Sequence, residues 1–483
     1  MLKTCAGYLI GSSHERLNWL HRWVSRTLLI TVTIHGVFFL REWIRADFVK
    51  LELSMMPMVK YGIGAWAILL WTFLTSLSPL RRIAYEVFVL QHIAAGAVFL
   101  WVLYVHVPYY AVYNVYWAIG ALCFDRLVRG ALLLGNNNRI RATKGCNTSQ
   151  KIGHEIQLQA MSDQITVITV KDVHLSWKAG QHIYLHLPWL GLLESHPFTI
   201  ATPFKTGEGC HCHEIQFAVR TQSGFSKRVN DCAHGKSGKE SLTGFIAGPF
   251  GAPPAWEAYE SLILISASTG ASYTLPILES ILTRSGNTCT KRLSFLLCVK
   301  EWRGVVYYEE RLRNALRDSR RCGIELEVEI AVTGEGSGGL LVVEIDDIKE
   351  KEKIADPLVL VKSVSPSATA ASSSATLDTP SGCCCAPTEK QEQQQPRSCC
   401  CALSSSLKAS DAQIVYSYSR PNISAFIRRI VEITGGETSV AVCGGKSLVA
   451  DTRNSVARLS DERAVHKGSG AQGIHLHVEE YGF

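Results

Sequence analysis

Long apolar stretches fill the first part of the chain, and short alternating runs fill most of the rest. The apolar stretches run from about Leu17 to Leu40, from Tyr61 to Leu80, from Val87 to Val107 and from about Tyr109 to Leu134. About twenty apolar residues at about 1.5 Å each cross a hydrocarbon core of about 30 Å, so all four predict membrane-spanning helices. Tyr61–Leu80 has no charged residue and no polar face, which argues against a buried helix of a soluble bundle. Arg16, Arg22, Arg26, Arg81, Arg82 and the basic residues from Arg126 to Lys144 would face the cytosol if the chain starts there. Arg41, Arg45, Lys50 and Lys60 lie on the opposite side, so the charge rule expresses a mild preference. Four spans return the remainder of the chain to its starting side.

Beyond residue 150 the period changes. Ile165–Val170, Gln181–Leu187 and Ile215–Val219 alternate as strands, with a turn at Lys178-Ala-Gly180, and predict a small antiparallel barrel. From Leu262 strands and helices alternate: Leu262–Ser266, a helix from about Ser272, Leu293–Val299, a helix around Tyr308–Arg317, and Glu325–Val332. That order predicts a parallel sheet with crossover helices, resumed at Ile414–Tyr416 and Thr438–Val442. Residues 335–410 interrupt it. Ser365–Ser406 is rich in Ser, Ala, Thr, Pro and Gln, has no aromatic residue, and is predicted to be disordered. The expected organisation is a transmembrane helical domain (1–135), a β-barrel (146–250), an α/β domain (251–334 and 411–483) and a disordered Cys/Ser-rich insert (335–410).

Composition sharpens this picture. The 483 residues are 47% hydrophobic and 19% charged, against about 25% charged in ordinary soluble domains. Mean hydropathy is +0.10. A wholly soluble enzyme and a wholly disordered chain are both excluded. Net charge is +7, with no basic stripe or nucleic-acid module, so no nucleic-acid partner is expected. Six of the sixteen cysteines form the triplets Cys383–Cys385 and Cys399–Cys401, and none makes a zinc-ribbon pair. The cluster Cys210-His211-Cys212-His213 lacks a second half. The scatter fits a reduced compartment. Met1–Ile10 is too weakly apolar for a signal peptide.

Histidines carry the first chemistry. His21 and His35 lie in the first span, His92 and His106 in the third, each pair fourteen residues apart. Fourteen steps of about 100° return to within about 40° of one face, with a rise of about 21 Å. The two spans run parallel, so His21 is level with His92, and His35 with His106. Ionisable groups inside spans are costly and usually functional. Two stacked bis-imidazole sites fit heme iron, which takes one axial nitrogen from each side. A proton relay or plain packing are the alternatives.

His14-Glu-Arg-Leu-Asn-Trp-Leu-His-Arg-Trp23, the two histidine pairs and Tyr85-Glu86 together resemble the fungal ferric/cupric reductases, relatives of the NADPH oxidases. The resemblance implies two hemes b, FAD and NADPH, and a ferredoxin-reductase-like module made of a flavin barrel and a nucleotide domain. It also implies further spans ahead of the first, so the heme domain reads as N-terminally truncated. His196-Pro197-Phe198-Thr199-Ile-Ala201 resembles the flavin-binding signature, with Thr199 offering a hydroxyl to the flavin. The Val219–Val229 segment resembles the flavin-phosphate segment, with Arg220, Gly224, Ser226 and a helix N-terminus as its donors. The terminal Phe483 corresponds to the ring that shields the flavin.

For the nucleotide, Gly248-Pro-Phe-Gly251 resembles the interdomain turn. Ser268, Thr269 and Gly270 sit where the family has a more glycine-rich loop. Arg420-Pro421 resembles the segment near the 2′-phosphate, which favours NADPH. Cys443-Gly444 resembles the turn beside the nicotinamide, with Gly445 replacing the usual proline. The implied activity is electron transfer from NADPH through FAD and two hemes to chelated Fe(III) or Cu(II) outside. It would occur in the plasma membrane or alternatively the vacuolar membrane, in contact with lipid, and with a functional link to a metal permease or ferroxidase. A superoxide-generating oxidase and a redox-inactive membrane sensor are the competing readings.

Overall fold

In a computed structural model, residues 17–138, 152–334, 340–343, 414–465 and 473–480 are described, apart from short gaps at 84, 163, 192–193, 206–212, 236–241, 285 and 287. The first span is helix α1 (Asn18–Arg45), followed by a short α2 (Val49–Met55). The second, α3 (Pro57–Thr75), begins earlier than its hydropathy alone predicts, because Pro57 occupies the first turn, where its missing N–H costs nothing. A short α4 (Ser78–Ile83) leads to the third span, α5 (Tyr85–His106). Pro108 holds the chain extended after α5, and a single 3-10 turn precedes α6 (Tyr113–Asn137).

The fourth of the expected spans differs from the other three. Among the described residues, α1, α3 and α5 are long and apolar enough to cross a membrane. The helix α6 has the length, but Asp125, Arg126 and Arg129 interrupt its apolar run. Asp125 is fully buried and paired with Arg126 at 2.6 Å and Arg129 at 3.5 Å. The outward faces of α1 and α5 expose Trp19, Val37, Phe38, Val87, Leu90 and Trp101, as lipid-facing surfaces do.

The barrel comprises β1 (His154–Ser162), β2 (Ile165–Val173), β3 (His182–His186), β4 (His196–Thr199), β5 (His213–Arg220) and β6 (Leu242–Phe250). They are antiparallel in the order β4-β3-β6-β1-β2-β5. Just past β4 the Ala201 N–H donates to the Gln216 carbonyl of β5 at 2.8 Å, drawing the two edges together. Alternate residues point inward, so Ile156, Ile168, Ile183, Leu185, Phe217 and Ile246 form a buried core. Each such side chain contributes about 1.5–3 kcal/mol. Helix α7 (Phe225–His234) plugs the barrel with Phe225 and Val229.

The next sheet has the order β10-β11-β9-β8-β7-β12-β13. Its strands are β7 (Ser261–Ala267), β8 (Arg292–Val299), β9 (Glu325–Val332), β10 (Leu340–Val343), β11 (Ile414–Ser417), β12 (Thr438–Gly444) and β13 (Ile474–Glu480). All pairings are parallel except β10 with β11. The strands β7 and β12 are buried on both faces, which is why they read as continuous runs and not as alternation. Helices α8 (Ala271–Thr283) and α9 (Val306–Cys322) pack together. Helices α10 (Ile423–Glu432) and α11 (Lys446–Val465) close on Ile263, Ile265, Val440 and Val442. The chain departs from β7 through β8, β9 and β11 to one side and through β12 and β13 to the other. The switch point between β7 and β12 is where open α/β sheets bind ligands.

The strand β10 corrects the expected insert, which does not begin at 335: Leu340–Val343 belongs to the sheet. The cysteine triplets, Ser365–Ser406, Cys210–Cys212 and Phe483 lie outside the described residues.

Candidate functional site

A continuous cleft of about 4370 Å3 runs from the helices past the barrel to the C-terminal edge of the parallel sheet. His21 and His92, Phe198 and Thr199, Thr269, Arg420 and Cys443 all line it.

At the membrane end, the His21 and His92 rings lie 6.2 Å apart between centroids, with planes at 88°. Metal–imidazole bonds of about 2 Å place two rings flanking one iron at about this separation, so the donor set fits a bis-histidine heme. The other two histidines have different partners. His35 packs edge-on against Phe39 at 4.9 Å. The His106 Nδ1 lies 2.9 Å from the Met58 carbonyl, over Gly62. Thus the structure brings the first predicted pair together and gives His35 and His106 neighbours of their own.

Interhelical hydrogen bonds set this register. The Trp66 indole donates to Thr33 at 3.0 Å, tying α3 to α1. The Trp71 indole donates to Gln91 Oε1 at 3.0 Å, and Gln91 Nε2 donates to Thr75 Oγ1 at 3.1 Å, tying α3 to α5 beside His92. Sequence reasoning missed Gln91; its adjacency to His92, on an otherwise apolar helix, was the available signal.

In the barrel, β4 presents His196, Pro197, Phe198 and Thr199. The His196 ring stacks on Phe225 at 4.2 Å and lies 3.3 Å from Glu194 Oε2. Glu194 also accepts from Arg228 at 2.5 Å, and Arg228 Nε donates to the Leu190 carbonyl at 2.9 Å. Glu194 and Arg228 are further residues that sequence reasoning missed. Arg220 is exposed at the end of β5, and Gly224, with φ 66°, turns the chain into α7. The first N–H groups of α7 and Arg220 form an anion-compatible corner. Ser226, expected at the flavin phosphate, is the second residue of α7. Its hydroxyl accepts from Gln222 N–H at 3.0 Å and faces the Ser223 carbonyl at 3.4 Å, so it closes the turn. The acceptor-rich isoalloxazine edge and the diphosphate of FAD fit this combination of hydroxyl, guanidinium and helix N-terminus.

Gly248 and Gly251 carry φ values of 142° and 104°, which an L side chain rarely adopts. The Gly248 carbonyl accepts from Asn136 at 2.6 Å, and the Asn137 amide pairs with both backbone groups of Ile246, at 2.7 and 2.8 Å. The end of α6 is therefore bonded directly to β6 of the barrel.

After β7, Ser268–Gly270 forms a 3-10 turn, with Thr269 and Gly270 buried. Ser268 sits at φ 52°, a left-handed conformation that costs a non-glycine residue roughly 1 kcal/mol. This is the physical trace of the missing glycine. Cys443 is buried at the end of β12, paired in register with Ser266. A Cβ on Gly444 would come within 3.1 Å of the Ala267 Cβ, so the two strand ends meet closely. Burial pushes the neighbouring Cys298 thiol up to about 12, so it stays protonated. Arg420 Nη2 donates to Asp451 at 3.1 Å, and Pro421 precedes Asn422, which caps α10 by accepting from Ala425 N–H. Arg311 of α9 donates twice to Glu279, at 2.8 and 2.6 Å, and once to the Ala201 carbonyl at 2.7 Å, joining the nucleotide domain to the segment just past β4.

These features define a flavin- and dinucleotide-binding module attached to membrane helices. Residues 3–103 match the family described as ferric reductase like transmembrane component, 152–254 the FAD-binding domain, and 259–457 the ferric reductase NAD binding domain. Over these three segments the chain is similar to ferric reductases. It is 28% identical over 301 residues to the probable cell surface ferric reductase kap2 of Aspergillus oryzae, covering 59% of this chain and 39% of that protein. It is 26% identical over 274 residues to ferric reductase transmembrane component 3 of Saccharomyces cerevisiae, covering 54% and 35%. To ferric/cupric reductase transmembrane component 2 of Schizosaccharomyces pombe it is 24% identical over 339 residues, covering 58% and 54%. The matched part thus spans well under two thirds of these relatives' length.

Proposed function

We propose that the protein carries electrons from cytosolic NADPH across a membrane to ferric or cupric chelates, by way of FAD and two hemes b. The observation that carries this reading is the single cleft shared by the His21/His92 pair, the β4 flavin strand and the Ser268–Gly270 turn. Bound FAD supplies the conversion between a two-electron hydride donor and one-electron carriers, and heme iron supplies the one-electron steps.

The chain's own residues hold and orient. His21 and His92 would hold the inner heme through their imidazole nitrogens; His35 and His106 would hold the outer one. Thr199 offers its hydroxyl to the flavin ring. Glu194 fixes the His196 ring through its Nε2, while Phe225 supports the ring's face. Arg220 and the start of α7 neutralise the diphosphate. Thr269, Gly270 and the N-terminus of α8 receive the dinucleotide phosphates, and Cys443 and Gly444 bound the nicotinamide end. The basic residues flanking the helices favour a cytosolic module, in a plasma or vacuolar membrane. A metal permease or ferroxidase would take up the reduced ion.

The test uses membranes bearing the full chain. NADPH should drive chelated Fe(III) reduction and a bis-histidine heme difference spectrum. His92→Ala should stop iron reduction and remove one heme while NADPH still reduces the flavin. Superoxide as the main product would establish an oxidase instead, and normal iron reduction by His92→Ala would refute the pairing.

A further inference from the structure

The C-terminal edge of the parallel sheet holds a guanidinium and a carboxylate in contact. Arg420 follows β11, and Asp451 lies in the second turn of α11. Their side chains meet at 3.1 Å between Nη2 and Oδ2, both remain largely exposed, and both line the same cleft as Ser268, Thr269 and Gly444. Although β11 is three strands from β7, Arg420 leans back over the intervening edge. It reaches Asp451 on the helix that follows β12, and its charge acts on Cys298 near the end of β8, opposing the burial that pushes that thiol up. The pair therefore hangs over the approach to the switch point.

Dinucleotide sites distinguish their ligands at the adenosine 2′ position. A carboxylate accepts the 2′-hydroxyl of NADH, and an arginine binds the 2′-phosphate of NADPH. Most such sites carry one device or the other; this edge carries both, and they neutralise each other.

We propose that Asp451 is a specificity-determining residue which, with Arg420, makes the protein accept NADH as well as NADPH. This rests on the reading of the cleft as a nicotinamide-dinucleotide site. A 2′-phosphate must draw Arg420 away from Asp451 and then tolerate the carboxylate beside it. An unphosphorylated ribose leaves the ion pair intact and gains the Asp451 oxygens as acceptors for its hydroxyl. The Arg420 contact and the Asp451 repulsion offset one another, so discrimination is small. An exposed ion pair is itself weak, so rearranging it costs little.

The experiment uses the detergent-solubilised full chain loaded with FAD. Initial rates of flavin reduction are measured with NADPH and NADH, and titration calorimetry measures binding of 2′,5′-ADP and 5′-AMP. The unmodified protein should prefer NADPH by less than about tenfold in kcat/KM. Asp451→Asn should raise that preference about five- to tenfold, through KM and not kcat, as expected when a like charge leaves a phosphate site. Arg420→Ala should lower it by at least as much, and the affinity ratio of the two adenosine nucleotides should follow both changes. An Asp451→Asn preference within twofold of the unmodified value overturns the proposal. Failure of the unmodified protein to bind either adenosine nucleotide overturns the dinucleotide reading itself, and this assignment with it.

Discussion

Gly62 shows how much one missing methyl decides. A Cβ there would lie 2.5 Å from His106 Cε1 and 2.8 Å from Nδ1, closer than real contacts allow. The ring can reach the Met58 carbonyl only because α3 carries no side chain at that point. Gly62→Ala should push the ring aside and roughly halve the heme-to-flavin ratio by pyridine hemochrome assay, while the His21/His92 site stays filled. An unchanged ratio would mean that His106 is not an axial ligand. At this scale the sequence was informative where chemistry follows a period: the fourteen-residue histidine spacing placed His21 opposite His92. It was silent where partners are distant. Glu194 meets Arg228 and Gln91 meets Trp71 only after folding. Ser226, expected at the flavin phosphate, also closes its own turn, as a hydroxyl at the start of a helix does with local backbone groups.

Among the elements, α9 joins two domains. Arg311 and Glu279 form a two-point ion pair with both side chains mostly buried, and Arg311 also holds the Ala201 carbonyl. Tyr307 adds a hydrogen bond to Gln216 at 3.0 Å. Removing one partner of a buried pair strands the other charge. Arg311→Met should therefore cost about 3 kcal/mol in denaturant unfolding of the soluble module, and Tyr307→Phe only about 1 kcal/mol. Equal and small losses would show that α9 is not a clamp. The edge strand β13 predicts a pH effect. His475 stacks on Tyr259 at 5.5 Å, and burial, then His477, hold its pKa below the ordinary 6.5. The unfolded chain therefore takes up the proton first as pH falls. Stability from this residue is intact above pH 6.5 and declines below it. The thermal midpoint should drop between pH 7.5 and 5.5 less steeply in His475→Gln than in the unmodified chain. Element types were legible from the strand–helix alternation. The boundaries were set by features outside hydropathy: Pro57 advanced the second span, and Pro108 delayed the fourth helix.

For the whole molecule, the long insert interrupts the nucleotide domain at one of the least disruptive places. Val343 pairs with Ile414 across the antiparallel β10–β11 ladder, so the insert Glu344–Gln413 enters and leaves at adjacent backbone positions. The β10–β11 hairpin that it connects is at the sheet's edge, opposite in the strand order to β13. The sequence placed the interruption at 335 because Leu340-Leu-Val-Val343 is too short to read as a strand without its partner. Closing a loop of about seventy residues costs about 3 kcal/mol more than closing a two-residue turn, since each doubling adds about 0.6 kcal/mol. Replacing Glu344–Gln413 by Asn-Gly, whose left-handed preference suits a two-residue hairpin, should keep β10 and β11 in register. The thermal midpoint of the nucleotide domain should then hold or rise, and NADPH-to-iron turnover should stay within about twofold, because the cleft residues from His21 to Cys443 are untouched. The six cysteines of the two triplets would be lost with the insert. If turnover disappears while flavin and heme remain bound, those thiols belong to the electron path; if the midpoint falls, the hairpin depends on the segment it encloses.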